Sequence, residues 1–454
     1  MCDALVLYGA TGDLAAKMLF PALGTLARDR GVRIPIVAVG RHRETPDAIL
    51  ARVRERLARD DPPAVPALDA LSGPIRYVEG DLGDGATYDA IKRALAGARL
   101  PLHYLAIPPE LFATVTAALA RAGLAQGARI ALEKPFGHDL ASARALERAV
   151  EQAFPDPSAV LRIDHYLGKD PVRNVAWLRH DSAWLEPLWS QANVRSVQIT
   201  MAEAFGILAR GAFYDRVGAL RDVFQNHLLQ VAALVAMEPA SLAQAEAFGA
   251  ARIEALRAIA PLAPEDVVFG QYEGYRDEPG VAADSRTETY LAARLAVDTR
   301  RFAGVPFYIR AGKCLPLTAT TLSLELVRAR TLRDDEVTAP EHLHFRLGPG
   351  TVDIVLATRR LVPGSIDAAA PLRLAGQLPA DEDRNAYVNL LYAALRGDHT
   401  MSERATGVTA AWRVVDDVVH AALPVHPYPR GSWGPAEANQ LLRPGERWYD
   451  PLSA

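Results

Sequence analysis

Cysteine is nearly absent: Cys2 and Cys314 are the two thiols in 454 residues. That excludes a disulfide framework and suits a reducing, cytoplasmic setting. Long apolar runs are missing too; none approaches the ~18 uncharged residues a membrane helix needs. There is no excess of positive charge, with 50 Lys+Arg against 54 Asp+Glu and a net charge of −4. Nucleic-acid binding by bulk electrostatics is therefore not expected. The opening MCDALVLYGATGD has no basic segment ahead of its apolar run, so it reads as a strand rather than a signal peptide. Internal repeats and low-complexity stretches are also lacking. What is present is ordinary for a globular protein: 50% apolar and 23% charged residues, in a length that predicts two or three domains.

The first third alternates short β-rich runs with helical patterns. Strands are expected at Leu5–Tyr8, Pro35–Val39, Ile75–Val78, Leu102–Ile107, Arg129–Glu133 and Val160–Ile163. Helices are expected at Leu14–Arg28, Pro46–Arg59, Thr87–Ala96, Pro109–Ala122 and Leu140–Gln152. This alternation predicts a Rossmann-like, doubly wound parallel sheet over residues 1–172. Beyond it, Asp170–His180 and Leu220–Met237 look helical. Longer β-rich runs follow at Val194–Met201, Thr287–Val297, Leu322–Val327, Leu343–Leu347 and Thr351–Ala357, without regular helices between them. Helical patterns return at Ala386–Leu395 and Glu403–Ala421. Residues 173–454 therefore read as an α+β domain on a large, mainly antiparallel sheet.

Four segments carry chemistry. Gly9-Ala10-Thr11-Gly12-Asp13-Leu14-Ala15 joins the first strand to the first helix, where a glycine turn and free helix N–H groups suit a pyrophosphate. Its G-x-x-G-x-x-A spacing is looser than the usual dinucleotide fingerprint. The second strand ends in Gly40-Arg41-His42-Arg43, where an NAD site typically has an acid for the ribose. Arg41 and Arg43 fit the 2′-phosphate of NADP, while Glu44 just beyond leaves weaker NAD use open. Glu133-Lys134-Pro135 ends the fifth strand, on the side where open α/β sheets bind ligands. That triplet also resembles the glucose–fructose oxidoreductases and inositol dehydrogenases.

The fourth segment discriminates. In Leu161-Arg-Ile-Asp-His-Tyr-Leu-Gly-Lys-Asp-Pro171, a strand delivers Asp164, His165 and Tyr166, Gly168 turns the chain, and Asp170 and Pro171 open a helix. His165, Tyr166 and Lys169 then cluster at a helix start, which suits a phosphate group. This string resembles the active-site signature of the glucose-6-phosphate dehydrogenases. The resemblance extends to Gly9–Leu14, Tyr104–Pro109, Glu133–Gly137, Glu203–Gly206, Arg221–Gln230, Val305–Lys313 and Tyr428–Pro435.

That resemblance implies a set of roles. His227 would be the base that takes the proton from the sugar C1 hydroxyl, and Asp164 would orient it. His165, Tyr166, Lys169 and Lys313 would hold the 6-phosphate. Lys134, Glu203 and Asp222 would bind sugar hydroxyls. Gly9, Thr11, Gly12, Arg41, Arg43 and Lys134 would bind the coenzyme, NADP, and no metal is needed. A homodimer or homotetramer is implied as well. Spacing alone does not unite Asp222 with His227, since five α-helical residues leave them roughly 140° apart. The sequence departs from the family pattern at Leu178–Ser182, Asp298–Gly304, Asp170 and Cys314. Two rival readings remain: a dehydrogenase of unphosphorylated sugars, which does not need the His165–Lys169 string, and a non-catalytic NADP-binding regulator.

Overall fold

The computed structural model describes residues 1–451 except 61, 70, 72–74, 184, 209, 241–243, 328–340, 349–351, 362–368, 379–382 and 401. The chain divides into two compact units. The first comprises Met1–Asp170, Leu242–Gly249 and Glu382–Thr409, and the second the remainder.

The first unit contains strands β1 (Ala4–Tyr8), β2 (Ile36–Gly40), β3 (Ile75–Glu79), β4 (Pro101–Leu105), β5 (Arg129–Glu133) and β6 (Val160–Ile163). They form one parallel sheet in the order β3-β2-β1-β4-β5-β6. Every residue of β1, β2 and β4 is buried, as expected where helices cover both faces of a parallel sheet. The strand order reverses between β1 and β4, the switch point at which open α/β sheets take ligands. The expected strand Leu102–Ile107 ends earlier, at Leu105, ahead of Pro108 and Pro109. Prolines lack the N–H that a central ladder needs. The first helix is not uniform: a π-helical run, Ala15–Leu19, leads into Phe20–Arg30.

Two segments late in the chain complete this unit. The helix Asp383–Arg396 packs against Phe20–Arg30, and the Cys2 N–H donates to Leu395 O at 2.6 Å. Arg162 and Glu403 form a backbone bridge. A single boundary near 172 would leave both late segments in the second domain; contacts join them to the first.

The second unit holds β7 (Val194–Ala202), β8 (Val267–Tyr272), β9 (Tyr290–Ala296), β10 (Pro306–Gly312), β11 (Ala319–Leu326), β12 (His342–Gly348), β13 (Val352–Leu361), β14 (Ala369–Leu378) and β15 (Val425–Tyr428). Their order is β14-β13-β12-β11-β7-β10-β9-β8-β15. The pairs β7/β10 and β8/β15 are parallel, and the other neighbours antiparallel. The mainly antiparallel sheet is thus as expected, although β8, β10, β14 and β15 carry no clear strand pattern in sequence. β10 is buried throughout, so it shows none of the alternation that marks a half-buried strand. Thr351, where one strand was expected to begin, lies outside the described residues. The helix expected over Leu220–Met237 is a π-helical run, Leu220–Leu228, followed by an α-helix, Leu229–Ala236.

Candidate active site

In the first unit, Gly9 follows β1 with φ +75°. A Cβ there would lie 2.2 Å from Ala106 O, so a side chain has no room between the loops after β1 and β4. The Gly12 N–H donates to Gly9 O at 2.9 Å and the Ala16 N–H to Gly12 O at 3.1 Å, winding the loop into the helix. The Thr11 side chain stands against Gly40 at the end of β2. Arg41 and Arg43 follow, both exposed. The Tyr77 hydroxyl donates to the His42 carbonyl between them and fixes this loop. Glu44 is ion-paired with Arg52 at 2.6 Å. Its carboxylate is therefore engaged by the following helix.

At the end of β5, Glu133 is buried and accepts a hydrogen bond from the Tyr104 hydroxyl. Burial pushes its carboxyl up to about 7, and the Asp164 charge adds to the shift. Lys134, next in line, is half-buried.

Past β6, Asp164 is fully buried and its Oδ1 accepts the Tyr166 N–H at 2.9 Å. Successive turns then tie Leu167 N–H to Asp164 O, Gly168 N–H to His165 O and Lys169 N–H to Tyr166 O. The helix Asp383–Arg396 buttresses this string. A Cβ on Gly168 would lie 2.8 Å from Ala386 O, and the Tyr387 ring stacks on His165 at 6.1 Å and 5°. Asn389 donates to Asp170 Oδ1 at 3.2 Å. The Lys169 ammonium lies 4.8 Å over the Tyr166 ring, a cation–π contact that keeps the charge beside its neighbours. Arg162, of the same string, is ion-paired with Glu147.

In the second unit, Asp222 and His227 both fall on the π-helical run. The Leu229 N–H reaches Phe224 O, a five-residue bond that widens the turn. Five residues then make only a little more than one turn, so Asp222 and His227 fall on the same side of the run, which α-helical spacing denies. The Asn226 side chain serves this backbone twice: Oδ1 accepts the His227 N–H at 2.6 Å, and Nδ2 donates to Arg221 O at 2.9 Å. Asp222, Glu203, Lys313 and Tyr214 line one narrow cavity. Lys313, nearly buried, is ion-paired with Glu203, and its ammonium lies 5.0 Å over the Tyr214 ring.

The first unit thus gathers Gly9, Thr11, Gly12, Arg41, Arg43 and Lys134 along the carboxyl ends of its parallel strands, with Asp164, His165, Tyr166 and Lys169 after β6. The second gathers Glu203, Asp222 and Lys313 at one cavity, with His227 on the Asp222 face. Sequence reasoning missed Tyr387 and Tyr214: the first sits in an expected helix and the second in a stretch given no element, and neither lies in a motif of its own. A glycine cradle at the switch point of a parallel sheet, with titratable side chains on adjoining strands, defines the class: a dehydrogenase with an NAD(P)-binding domain.

Comparison with known proteins narrows this. The family model for the NAD binding domain of glucose-6-phosphate dehydrogenase matches residues 6–174, and that for its C-terminal domain matches 176–449. Glucose-6-phosphate 1-dehydrogenase 1 of Mycobacterium tuberculosis is 40% identical over 99% of this chain and 96% of its own. The crystal structure of glucose-6-phosphate 1-dehydrogenase from Mycobacterium avium superposes with a TM-score of 0.90 at 40% identity, covering 100% of this chain and 99% of that one. A glucose-6-phosphate dehydrogenase in complex with its substrate glucose 6-phosphate gives 0.86 at 27% identity, with 98% of each chain covered. The chain belongs to the glucose-6-phosphate dehydrogenase family.

Proposed function

We propose that the protein oxidises β-D-glucose 6-phosphate at C1 to 6-phosphoglucono-δ-lactone, with NADP as the coenzyme, the first step of the oxidative pentose phosphate route. The observation that carries this reading is the buttressed His165–Lys169 string, which a dehydrogenase of free sugars does not need. Gly9, Thr11 and Gly12 would hold the coenzyme, which would supply the hydride acceptor for C1. A Cβ on Gly9 would meet Ala106 O at 2.2 Å, so glycine is what lets the loop turn this tightly ahead of the helix start that would receive a pyrophosphate.

The remaining steps fall to side chains. Hydride leaves C1 only as its hydroxyl is deprotonated, so the site needs a base that works near neutral pH. His227 is that base, and Asp164 orients its imidazole and stabilises the charged form. His165, Tyr166 and Lys169 bind the 6-phosphate with Lys313. Glu203 and Asp222 receive sugar hydroxyls, and Lys134 serves both sugar and coenzyme. Engagement of Glu44 by Arg52 supports NADP over NAD, because it leaves Arg41 and Arg43 as the charges facing a ribose 2′ position. The reading further includes a cytoplasmic homodimer or homotetramer, with coenzyme binding in residues 1–172 and substrate binding and assembly in 173–454.

The test is formation of NADPH, followed by absorbance, with glucose 6-phosphate and with glucose, and with NAD in parallel. Glucose 6-phosphate with NADP should be the best pair by kcat/KM. Equal use of free glucose would overturn the phosphate-site assignment and favour a dehydrogenase of unphosphorylated sugars.

A further inference from the structure

Between the helical stretch Gly211–Ala219 and the π-helical run Leu220–Leu228, the backbone breaks at Gly218, with φ +67° and ψ 172°. The break strips the new run of the preceding carbonyls that would otherwise accept its first N–H groups. One residue replaces them. The Glu288 carbonyl accepts the Ala219 N–H at 3.0 Å, and Glu288 Oε1 accepts the Leu220 N–H at 2.9 Å. Glu288 is buried, and a Cβ on residue 218 would lie 2.3 Å from that same Oε1. Gly218 thus both turns the chain and admits the carboxylate.

The adjoining residue reaches the other side of the site. Thr289 O accepts the Lys313 N–H at 3.0 Å, and the Tyr428 hydroxyl bridges Thr289 Oγ1 at 3.1 Å and Lys313 O at 2.7 Å. Two consecutive residues ahead of β9 therefore fix both the entry of the run that bears Asp222 and His227 and the backbone of Lys313.

We propose that Glu288 is a positioning residue: through its carboxylate it sets the register of Asp222 and His227 relative to Lys313. The inference rests on the reading that these three residues handle the sugar phosphate. A buried acceptor two residues before the reactive turn has no solvent substitute, and displacement of a base by about 1 Å can cost about a hundredfold in rate.

The test uses purified full-length Glu288→Ala, Glu288→Gln and Gly218→Ala proteins. Glu288→Ala should lower kcat for glucose 6-phosphate about a hundredfold. KM for NADP should stay within about twofold, since the coenzyme loop is untouched. Glu288→Gln keeps an oxygen for the Leu220 N–H and should recover to within about fivefold of wild type. Gly218→Ala should resemble Glu288→Ala. A merely structural role would lower the melting temperature without this split between kcat and coenzyme KM, and without rescue by glutamine. A folded Glu288→Ala enzyme with wild-type kcat, or a glutamine variant as damaged as alanine, would overturn the inference. If Glu288→Ala does not fold, the glutamine and Gly218→Ala results decide alone. Absence of glucose 6-phosphate oxidation in the wild type would instead sink the underlying functional reading.

Discussion

The two π-helical runs serve different ends. Ala15–Leu19 follows a loop whose functional groups are backbone: glycines without side chains, and N–H groups at a helix start. Leu220–Leu228 presents side chains, Asp222 and His227, and depends on Asn226, Glu288 and Gly218 to hold its register. A site made of backbone is sensitive chiefly where a glycine is essential. A site made of buried polar side chains is sensitive at every member, because each loss leaves a partner without its hydrogen bond.

The sharpest way to probe the side-chain region is the base proposed for it, His227. His227→Asn should reduce kcat by about 10²–10⁴ while leaving the glucose 6-phosphate KM largely unchanged. Steady-state kinetics on folded protein checks this, and near-normal turnover would remove the mechanism. Next, Lys169→Ala and Lys313→Ala should each cost about 1.5–3 kcal/mol of charge-assisted phosphate binding, roughly tenfold or more in kcat/KM for glucose 6-phosphate. Activity on free glucose should hardly move in either variant, and parallel assays on both sugars compare the two.

The backbone region should break at Gly9. Gly9→Ala forces a Cβ towards Ala106 O from a left-handed backbone, which costs about 1–3 kcal/mol. Coenzyme KM should rise about tenfold with little change in the sugar KM. Arg41→Ala, an exposed side chain in the same region, should raise the NADP KM about tenfold and leave NAD use unaltered. Equal loss with both coenzymes would show that Arg41 does not read the 2′-phosphate.

The smallest effect tests the buried acid at the end of β5. Burial raises the Glu133 carboxyl to about 7, so the folded protein holds a proton that the unfolded chain has already released above its ordinary carboxylate range. Its contribution is therefore most favourable below about pH 4.3 and is lost as pH rises towards 7. Glu133→Gln should melt a few degrees higher than wild type at pH 8, with the gap closing towards pH 5. A gap independent of pH would mean that Glu133 is not protonated near neutrality.

Legibility in the sequence follows the same division. The parallel strands could be read because burial on both faces makes apolar runs, and the Gly9 loop because a backbone cradle demands glycine. The His165–Lys169 string was legible as ordered residues. The shared face of Asp222 and His227 was not, since the sequence implies 100° per residue and the widened turn appears only in the backbone. Glu288 fell inside an expected strand, where nothing local marks an acceptor for a helix 68 residues away. Strand β10 was legible as a family string but not as a strand: burial removes the alternation, and Pro306, Arg310 and Gly312 interrupt the apolar run that would replace it.

The return of Glu382–Thr409 to the first unit also bears on biosynthesis. Cys2 pairs with Leu395, and Arg162 with Glu403, so contacts close over nearly the whole chain. A chain emerging from the ribosome can pair β1 to β6 early, but the helix that backs His165 and Gly168 is synthesised more than two hundred residues later. The His165–Lys169 string then acquires its support only after most of the second unit has been made, and high contact order of this kind slows folding. A fragment ending at residue 170 would carry the coenzyme loop without that support, so nucleotide binding and phosphate binding should mature at different times during translation.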